Sequence, residues 1–249
     1  MQPKDNFSKQ AHLYAKFRPR YPQALYDFIL AQLKGRQKAW DCATGNGQVA
    51  SHLAQYFDQV VATDISQKQL ENATLAPNIE YLISPAEHTP FEQNTFDLVT
   101  VGQAIHWFEF TQFYQEVQRV CKPNALLAVW GYGTLLIDNK ELNDKFQHFY
   151  QEQIGDYWDG ERRYIDEEYQ TIPFTFEEIK TPSFSMNYHW DFDQLEGYLN
   201  TWSSVQKYIN QHQTNPVTQF IEACNDISTK NAQFEVFFPV FLKIGRVAK

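Results

Sequence analysis

The sequence predicts an α/β fold: a doubly wound, Rossmann-like sheet of seven strands, with an antiparallel β-hairpin at its end. Three observations predict it. Short apolar runs alternate with helical patterns up to residue 130, the mark of βαβ units and a parallel sheet. The run Phe96 to Val101 is apolar on consecutive residues, as in a strand buried on both faces. A glycine turn, Gly45-Asn46-Gly47, follows the first strand-like run, where open α/β sheets place their ligands.

Each element has its own reason. Pro22 to Leu33 reads as a helix, because Pro22 suits a first turn and Leu25, Phe28, Ile29, Gln32 and Leu33 follow helical spacing. Lys38 to Cys42 is a strand ending at the glycine turn. Gln48 to Phe57 is a helix with Val49, Leu53 and Phe57 on one stripe. Gln59 to Asp64 is a strand ending in an acid, and Ser66 to Leu75 a helix with Ser66 as its N-cap. Ile79 to Ile83, Phe96 to Val101 and Ala125 to Trp130 are further strands, with a helix at Phe110 to Val120. Right-handed crossovers then put helices on both faces. Beyond, 138–180 is rich in Asp, Glu, Tyr and Phe and reads as a partly helical insertion over the open end of the sheet. Phe184 to Phe192 is a strand, Leu195 to Ile209 and Val217 to Ile227 are helices, and Phe234 to Ile244 is a last strand whose Pro239 suits an edge or a bulge.

The 249 residues are read as one domain: N-terminal cap helices in 1–34, a ligand-binding core in 35–135, a lid in 136–182, and C-terminal strands and helices in 183–249. A net charge of -9 excludes a generally basic surface and so disfavours nucleic acid as partner. No apolar run is long enough to span a bilayer, and the first residues have no apolar core of a signal peptide. Cys42, Cys121 and Cys224 are odd in number and far apart, unlike a disulfide framework. His148, His189 and His212 show no ligand spacing, so no metal is expected. The expectation is a cytoplasmic protein, monomeric or homodimeric. Aromatic residues make up 16% of the chain, many of them outside the strands, in 14–21, 106–113, 146–176 and 188–202. Those segments are where a dry pocket and its lid would be built.

The chemistry-bearing run is Asp41-Cys42-Ala43-Thr44-Gly45-Asn46-Gly47, between strand and helix. Gly45 and Gly47 let backbone approach a ligand, and the next helix offers free N–H groups. Asp64 ends the next strand and can accept both hydroxyls of a ribose. Gly45-x-Gly47-x-x-Ala50 also satisfies a dinucleotide fingerprint, leaving an NAD-dependent oxidoreductase as an alternative. Asp41 beside the turn would repel a pyrophosphate and attract an ammonium, which favours S-adenosylmethionine.

The ordered set Asp41-x-Ala43-x-Gly45-x-Gly47, Asp64, Ala86-Glu87-His88-Thr89-Pro90-Phe91 and Phe96-Asp97-Leu98-Val99 resembles class I S-adenosylmethionine-dependent methyltransferases. Tyr14-Ala15-Lys16-Phe17-Arg18-Pro19-x-Tyr21-Pro22, Gln103-Ala104-x-His106-Trp107-Phe108 and Gly197-Tyr198-Leu199-x-Thr201-Trp202-Ser203 resemble a narrower group, similar to trans-aconitate methyltransferase. The resemblance implies that Ala43, Gly45 and Gly47 lie beneath the cofactor and that Asp41 helps hold its methionyl end. It further implies that Asp64, with Ile65 beside it, takes the ribose, that Ala86 and Glu87 flank the adenine, and that Gln103 lies at the substrate mouth. Tyr14, Arg18 and Tyr21 would close over the cofactor, with Arg18 a candidate partner for its carboxylate. The chain departs from the family at Ala43, where Gly is usual. That departure is the one motive for a non-catalytic, cofactor-binding relative.

The reaction implied is in-line methyl transfer to a small molecule, on a carboxylate or hydroxyl oxygen among other acceptors, leaving S-adenosylhomocysteine. Trp107 is the aromatic candidate for holding a sulfonium or a substrate. His106 could act as a base, line the pocket or be structural. A carboxylate acceptor would want arginine, and Arg20, Arg162 and Arg163 are candidates, with ion pairing to Glu161, Asp166 or Glu167 as the plainer role. Tyr198 and Trp202, four apart on one expected helix, could wall the pocket or pack on the sheet.

Overall fold

A computed structural model describes residues 17–224, 227 and 232–249. In chain order its elements are α1 (Gln23–Ala31), β1 (Lys38–Cys42), α2 (Gln48–Leu53), β2 (Gln59–Asp64), α3 (Gln67–Glu71), β3 (Ile79–Ile83), β4 (Phe96–Gly102), α4 (Phe110–Val120), β5 (Cys121–Tyr132), β6 (Leu136–Ile137), α5 (Lys140–His148), α6 (Arg162–Asp166), β7 (Glu177–Glu178), β8 (Phe184–Trp190), α7 (Phe192–Leu199), α8 (Ser203–His212), α9 (Pro216–Ala223) and β9 (Phe234–Arg246).

The sheet runs β3-β2-β1-β4-β5-β9, and the pairings among β3, β2, β1, β4 and β5 are all parallel. β9 is antiparallel to β5 on one edge and to β8 on the other, while the dipeptide strands β6 and β7 add to it. Seven longer strands therefore stand where seven were expected. Successive residues serve opposite faces, as the pleat requires. Ala39, Val60, Ala62, Leu98 and Leu126 join one buried cluster with Leu25, Ile29 and Leu53 of α1 and α2. Trp40, Val61, Val99, Val101 and Leu127 join another with Phe113 and Val117 of α4. Burial on both faces is why these strands read as unbroken apolar runs.

Several boundaries differ from the expectation. α2 ends at Leu53, and a turn carries Phe57 into the core. Phe192 belongs to α7, not to the strand, because Asp191 and Gln194 form a capping box that starts the helix there. The expected helix Leu195 to Ile209 is two helices, α7 and α8, broken where the Thr201 hydroxyl donates to the Tyr198 carbonyl and Trp202 is extended. β8 and β9 are antiparallel neighbours, but α7, α8 and α9 lie between them, so no tight hairpin joins them. Pro239 is not on an edge strand. Its carbonyl accepts from Gly133 N–H on the β5 side, and one strand residue points N and O the same way. The missing N–H thus faces the stretch between the β5 and β6 pairings.

No helix among the described residues is long and apolar enough to cross a membrane. The three cysteines are buried and form no disulfide with one another.

Candidate active site

The site begins where β1 ends. Ala43, Gly45 and Gly47 all take left-handed backbone conformations, with φ of 54°, 58° and 78°. For Gly this is free of strain, but Ala43 holds a conformation disfavoured by its Cβ. That is the physical cost of the departure at this position. A Cβ on Gly45 would meet nothing within 4 Å, whereas one on Gly47 would lie 2.3 Å from the Tyr81 hydroxyl.

Asp41 organises this loop from beneath. Its Oδ2 accepts from the Thr44 hydroxyl and, at 3.1 Å, from Ala50 N–H at the start of α2. Its Oδ1 accepts from the Thr100 hydroxyl on β4 at 2.8 Å. Asp41 is 1% exposed and does not reach the cavity. Asp41 is expected to help hold the methionyl end; in the structure both of its oxygens accept hydrogen bonds that fold the loop. Burial raises its pKa from 3.8 to about 6, against the lowering effect of the bonds from Thr44, Thr100 and Ala50. A folded pKa above the unfolded one means stability is full at low pH and is lost as pH rises through about 6. Asp41→Asn keeps every bond if its amide donates to Thr100, whose own hydroxyl also lies 3.4 Å from the Trp40 carbonyl. Thermal unfolding across pH should show wild type losing about 3 kcal/mol relative to Asp41→Asn between pH ~4 and ~7. Parallel curves for the two proteins would refute the shifted carboxyl.

Asp64 ends β2 with its carboxylate already oriented. Oδ2 accepts from Gly45 N–H at 2.9 Å and Oδ1 from Ser66 N–H at 2.8 Å. Ser66 caps α3 as expected, accepting from Gln69 N–H. Beside them Ile65 is 44% exposed, an apolar side chain on the cavity wall. Ala86 and Glu87 line the same wall, and Glu87 accepts from Glu109 N–H at 3.0 Å.

Gln103 follows β4 with φ of 56°, a left-handed conformation in a residue that has a Cβ. Its side chain grips the end of β5: Oε1 accepts from Tyr132 N–H at 2.7 Å and Nε2 donates to the Tyr132 carbonyl at 3.2 Å. Strain of this kind persists only where the surroundings over-determine it. The 3-10 turn Ile105–Trp107 then places His106 and Trp107 on the cavity, their rings 4.9 Å apart. His106 Nδ1 lies 3.0 Å from the Tyr169 hydroxyl. Burial and then the Arg162 charge lower the His106 pKa to about 3, so the imidazole is neutral.

The far wall comes from the segment before α1 and from the insertion. Arg18 lines the cavity, donates to the Tyr132 hydroxyl at 2.8 Å and lies over the Tyr198 ring at 5.5 Å. Tyr21 lines it too, edge-on to Trp130. Arg162 lines it with a fixed guanidinium: Nη2 donates to Thr134 Oγ1 at 2.8 Å, Nε to the Tyr150 hydroxyl at 2.9 Å, and the Trp158 ring lies 4.5 Å away. Arg162 also pairs with Asp166 at 3.3 Å, so the plainer role holds in part. Arg20 and Arg163 do not line the cavity. Arg20 is exposed, and Arg163 bonds to Tyr164 outside it. Of the aromatic pair, Trp202 lines the cavity while Tyr198 is buried behind it, with rings 5.5 Å apart. Tyr14 lies outside the described residues.

These walls enclose a cavity of about 490 Å³ beyond the carboxyl ends of the parallel strands, within the roughly 300–1,000 Å³ of small-molecule sites. Its charges are mixed. Asp64 ends β2 and Glu87 follows β3, while Arg18 and Arg162, anchored at Tyr132 and Thr134, share the far wall with Asp159 and Glu161. Three strand spacings, roughly 14 Å, separate β2 from β5. The residues present fit S-adenosylmethionine: a carboxylate for ribose hydroxyls, an apolar face at Ile65, open space over Gly45, and cations at the far end. Among the described residues no group of three His, Cys, Asp or Glu could hold a metal ion.

Sequence reasoning reaches Trp158 only as part of the 136–182 lid, and misses Tyr132 and Tyr169. Tyr132 carried a signal, since it ends a strand of a sheet whose ligands sit at strand ends. Trp158 and Tyr169 lie in the insertion, where no periodicity or motif marks an inward side chain.

Comparison with known proteins identifies the family. A methyltransferase domain family model matches residues 40–129. A methyltransferase-family protein of Dictyostelium discoideum is 32% identical over 249 residues, covering 97% of this chain and 95% of its own. A Saccharomyces cerevisiae relative named as an S-adenosylmethionine-dependent methyltransferase is 27% identical over 133 residues, covering 50% of this chain and 45% of its own. The structure of a type II methyltransferase-family protein from Anaeromyxobacter dehalogenans superposes with a TM-score of 0.85 at 31% identity, over 93% of this chain and 99% of its own. The NAD alternative is thereby overturned. Its weak point is visible in the structure, where the Asp41 carboxylate already occupies an amide at the start of α2, where a pyrophosphate would need a donor. With this cavity at the strand ends and these relatives across nearly its whole length, the chain belongs to the class I S-adenosylmethionine-dependent methyltransferases.

Proposed function

We propose that this enzyme methylates an oxygen of a small, anionic acceptor, with a carboxylate preferred over a hydroxyl. The observation that carries this reading is Arg162, a guanidinium held in the cavity wall by Thr134, Tyr150 and Trp158. A planar fork fixed in advance suits a carboxylate and loses little freedom on binding it. In a chain of net charge -9, an anion must be met by such local cations.

The chemistry supplied when the donor is bound is an electrophilic methyl: the acceptor's lone pair forms the new bond as the C–S electrons return to sulfur. The chain's own part is to bind, align and exclude water. Asp64 accepts from the ribose hydroxyls while Gly45 and Ser66 hold its carboxylate. Ala43 and Gly45 form the floor, Ile65 and Ala86 face the adenine, and Glu87 accepts from its amino group. Arg18 meets the donor's carboxylate, and Tyr21 and Gln103 shape the mouth. Trp107, Trp158 and Trp202 give an aromatic surround that keeps water out and favours the cation. Residues 136–182 act as a lid, a role supported by Trp158 and Arg162 on the cavity wall. Alignment of this kind can supply up to about 7–11 kcal/mol of a barrier.

Incubation with methyl-labelled donor and pooled small carboxylic acids, phenols and amines tests the acceptor class. Label should enter the acids as esters, which mild alkali cleaves. Arg162→Met should lower that transfer by about 100-fold or more, the loss of a bidentate charged contact, while binding of S-adenosylhomocysteine persists. Label in amines, or transfer indifferent to Arg162, would reverse the reading.

A further inference from the structure

Tyr169 reaches His106 by an unusual route. Glu168 and Tyr169 are consecutive non-glycine residues in the left-handed region, with φ of 51° and 59°. The turn is pinned by Tyr169 N–H donating to the Tyr164 carbonyl at 2.7 Å and Glu168 N–H to Ile165 at 3.0 Å. Its product is a tyrosine 1% exposed, edge-on to Phe241 at 4.8 Å, with its hydroxyl 3.0 Å from His106 Nδ1.

A buried hydroxyl must place its proton on an acceptor. Among the described residues the acceptor within reach is Nδ1, at 3.0 Å. Burial, opposed by the Arg162 charge, holds the phenol far above its usual pKa, so it keeps its proton and donates it. Nδ1 is then the bare nitrogen and Nε2 the protonated one. With Nδ1 turned to Tyr169, Nε2 is the nitrogen left to the cavity that His106 lines.

We propose that Tyr169 locks His106 as the Nε2–H tautomer, so that His106 meets the acceptor as a fixed hydrogen-bond donor to an oxygen that arrives already ionised. This rests on the oxygen-acceptor reading above and narrows it to carboxylates. A general base needs a free lone pair facing its proton, and the lone pair of His106 is engaged with Tyr169. Arg162 on α6 disfavours an imidazolium. The carboxylates on the same cavity are Asp64, Glu87, Glu109, Asp159 and Glu161, of which Asp159 is engaged by Lys207 at 2.7 Å. A hydroxyl acceptor would find no base at His106. A carboxylate, with a pKa of about 4, needs none. Tyr169 is thus a positioning residue and His106 a neutral donor.

Nitrogen-15 NMR of the histidine ring, on the full chain saturated with S-adenosylhomocysteine, reads this without any acceptor. The expected spectrum shows His106 with bare Nδ1 and protonated Nε2, unchanged from about pH 5 to about pH 9. In Tyr169→Phe the two tautomers should mix, while affinity for S-adenosylhomocysteine stays within about twofold, which shows the fold intact. A wild-type ring protonated on Nδ1, or one that titrates near its reference pKa of about 6.5, would overturn the proposal. So would a Tyr169→Phe ring still fixed as Nε2–H. Because no acceptor is present, a failed acceptor screen bears on the oxygen-acceptor reading alone.

Discussion

Asp64→Ala should lower the affinity for S-adenosylhomocysteine by about 100-fold or more, read by calorimetry. The carboxylate is fixed by Gly45 N–H at 2.9 Å and Ser66 N–H at 2.8 Å, so it faces the cavity without having to reorganise. Two charge-assisted bonds to ribose hydroxyls, each worth about 1.5–3 kcal/mol, account for that factor. The truncation also frees Gly45 N–H and so loosens the glycine loop. Asp64 is only half-buried, so water can take up the freed amides and the fold should survive. Unchanged affinity in a folded Asp64→Ala would remove the ribose from this end of the cavity.

Gly47→Ala and Gly45→Ala should part in opposite ways. At Gly47 a Cβ would stand 2.3 Å from the Tyr81 hydroxyl, which donates to the Thr74 carbonyl at 2.7 Å. The methyl must break that bond or move the loop, on a backbone with φ of 78°. Roughly 2–3 kcal/mol and a melting point lower by roughly 5–10 °C are expected. At Gly45 the φ of 58° imposes strain, but nothing stands within 4 Å of the added methyl. The stability loss there should be about 1 kcal/mol, with the larger loss in cofactor affinity, because the methyl projects into ligand space. Thermal unfolding and calorimetry on both variants separate the two. Equal losses of stability would contradict the open space over Gly45.

The central sheet was legible because its strands are buried on both faces, and such strands spell themselves as apolar runs. Trp40, Val61 and Val99 face one cluster while Ala39, Val60 and Leu98 face the other. Helix ends were less legible, because caps decide them. The Asp191 and Gln194 capping box starts α7 inside what reads as strand, and Thr201 interrupts what reads as one helix. In the site, Asp64 and the glycines could be found from spacing, since the loop demands glycine and the strand end demands an acid. Asp41 could be found but not assigned, because an acid under a glycine loop can face the ligand or the loop, and burial decides for the loop. The pairing of His106 with Tyr169 joins residues 63 apart through a strained turn, which leaves no local pattern.

The most direct test of the site as drawn is a crystal structure of the protein with S-adenosylhomocysteine. The predicted result has both ribose hydroxyls on the Asp64 carboxylate, the adenine between Ile65 and Ala86, and the sulfur turned toward the wall formed by Gln103, His106 and Arg162. A nucleoside bound at the Arg162 end, or a ribose without contact to Asp64, would contradict it.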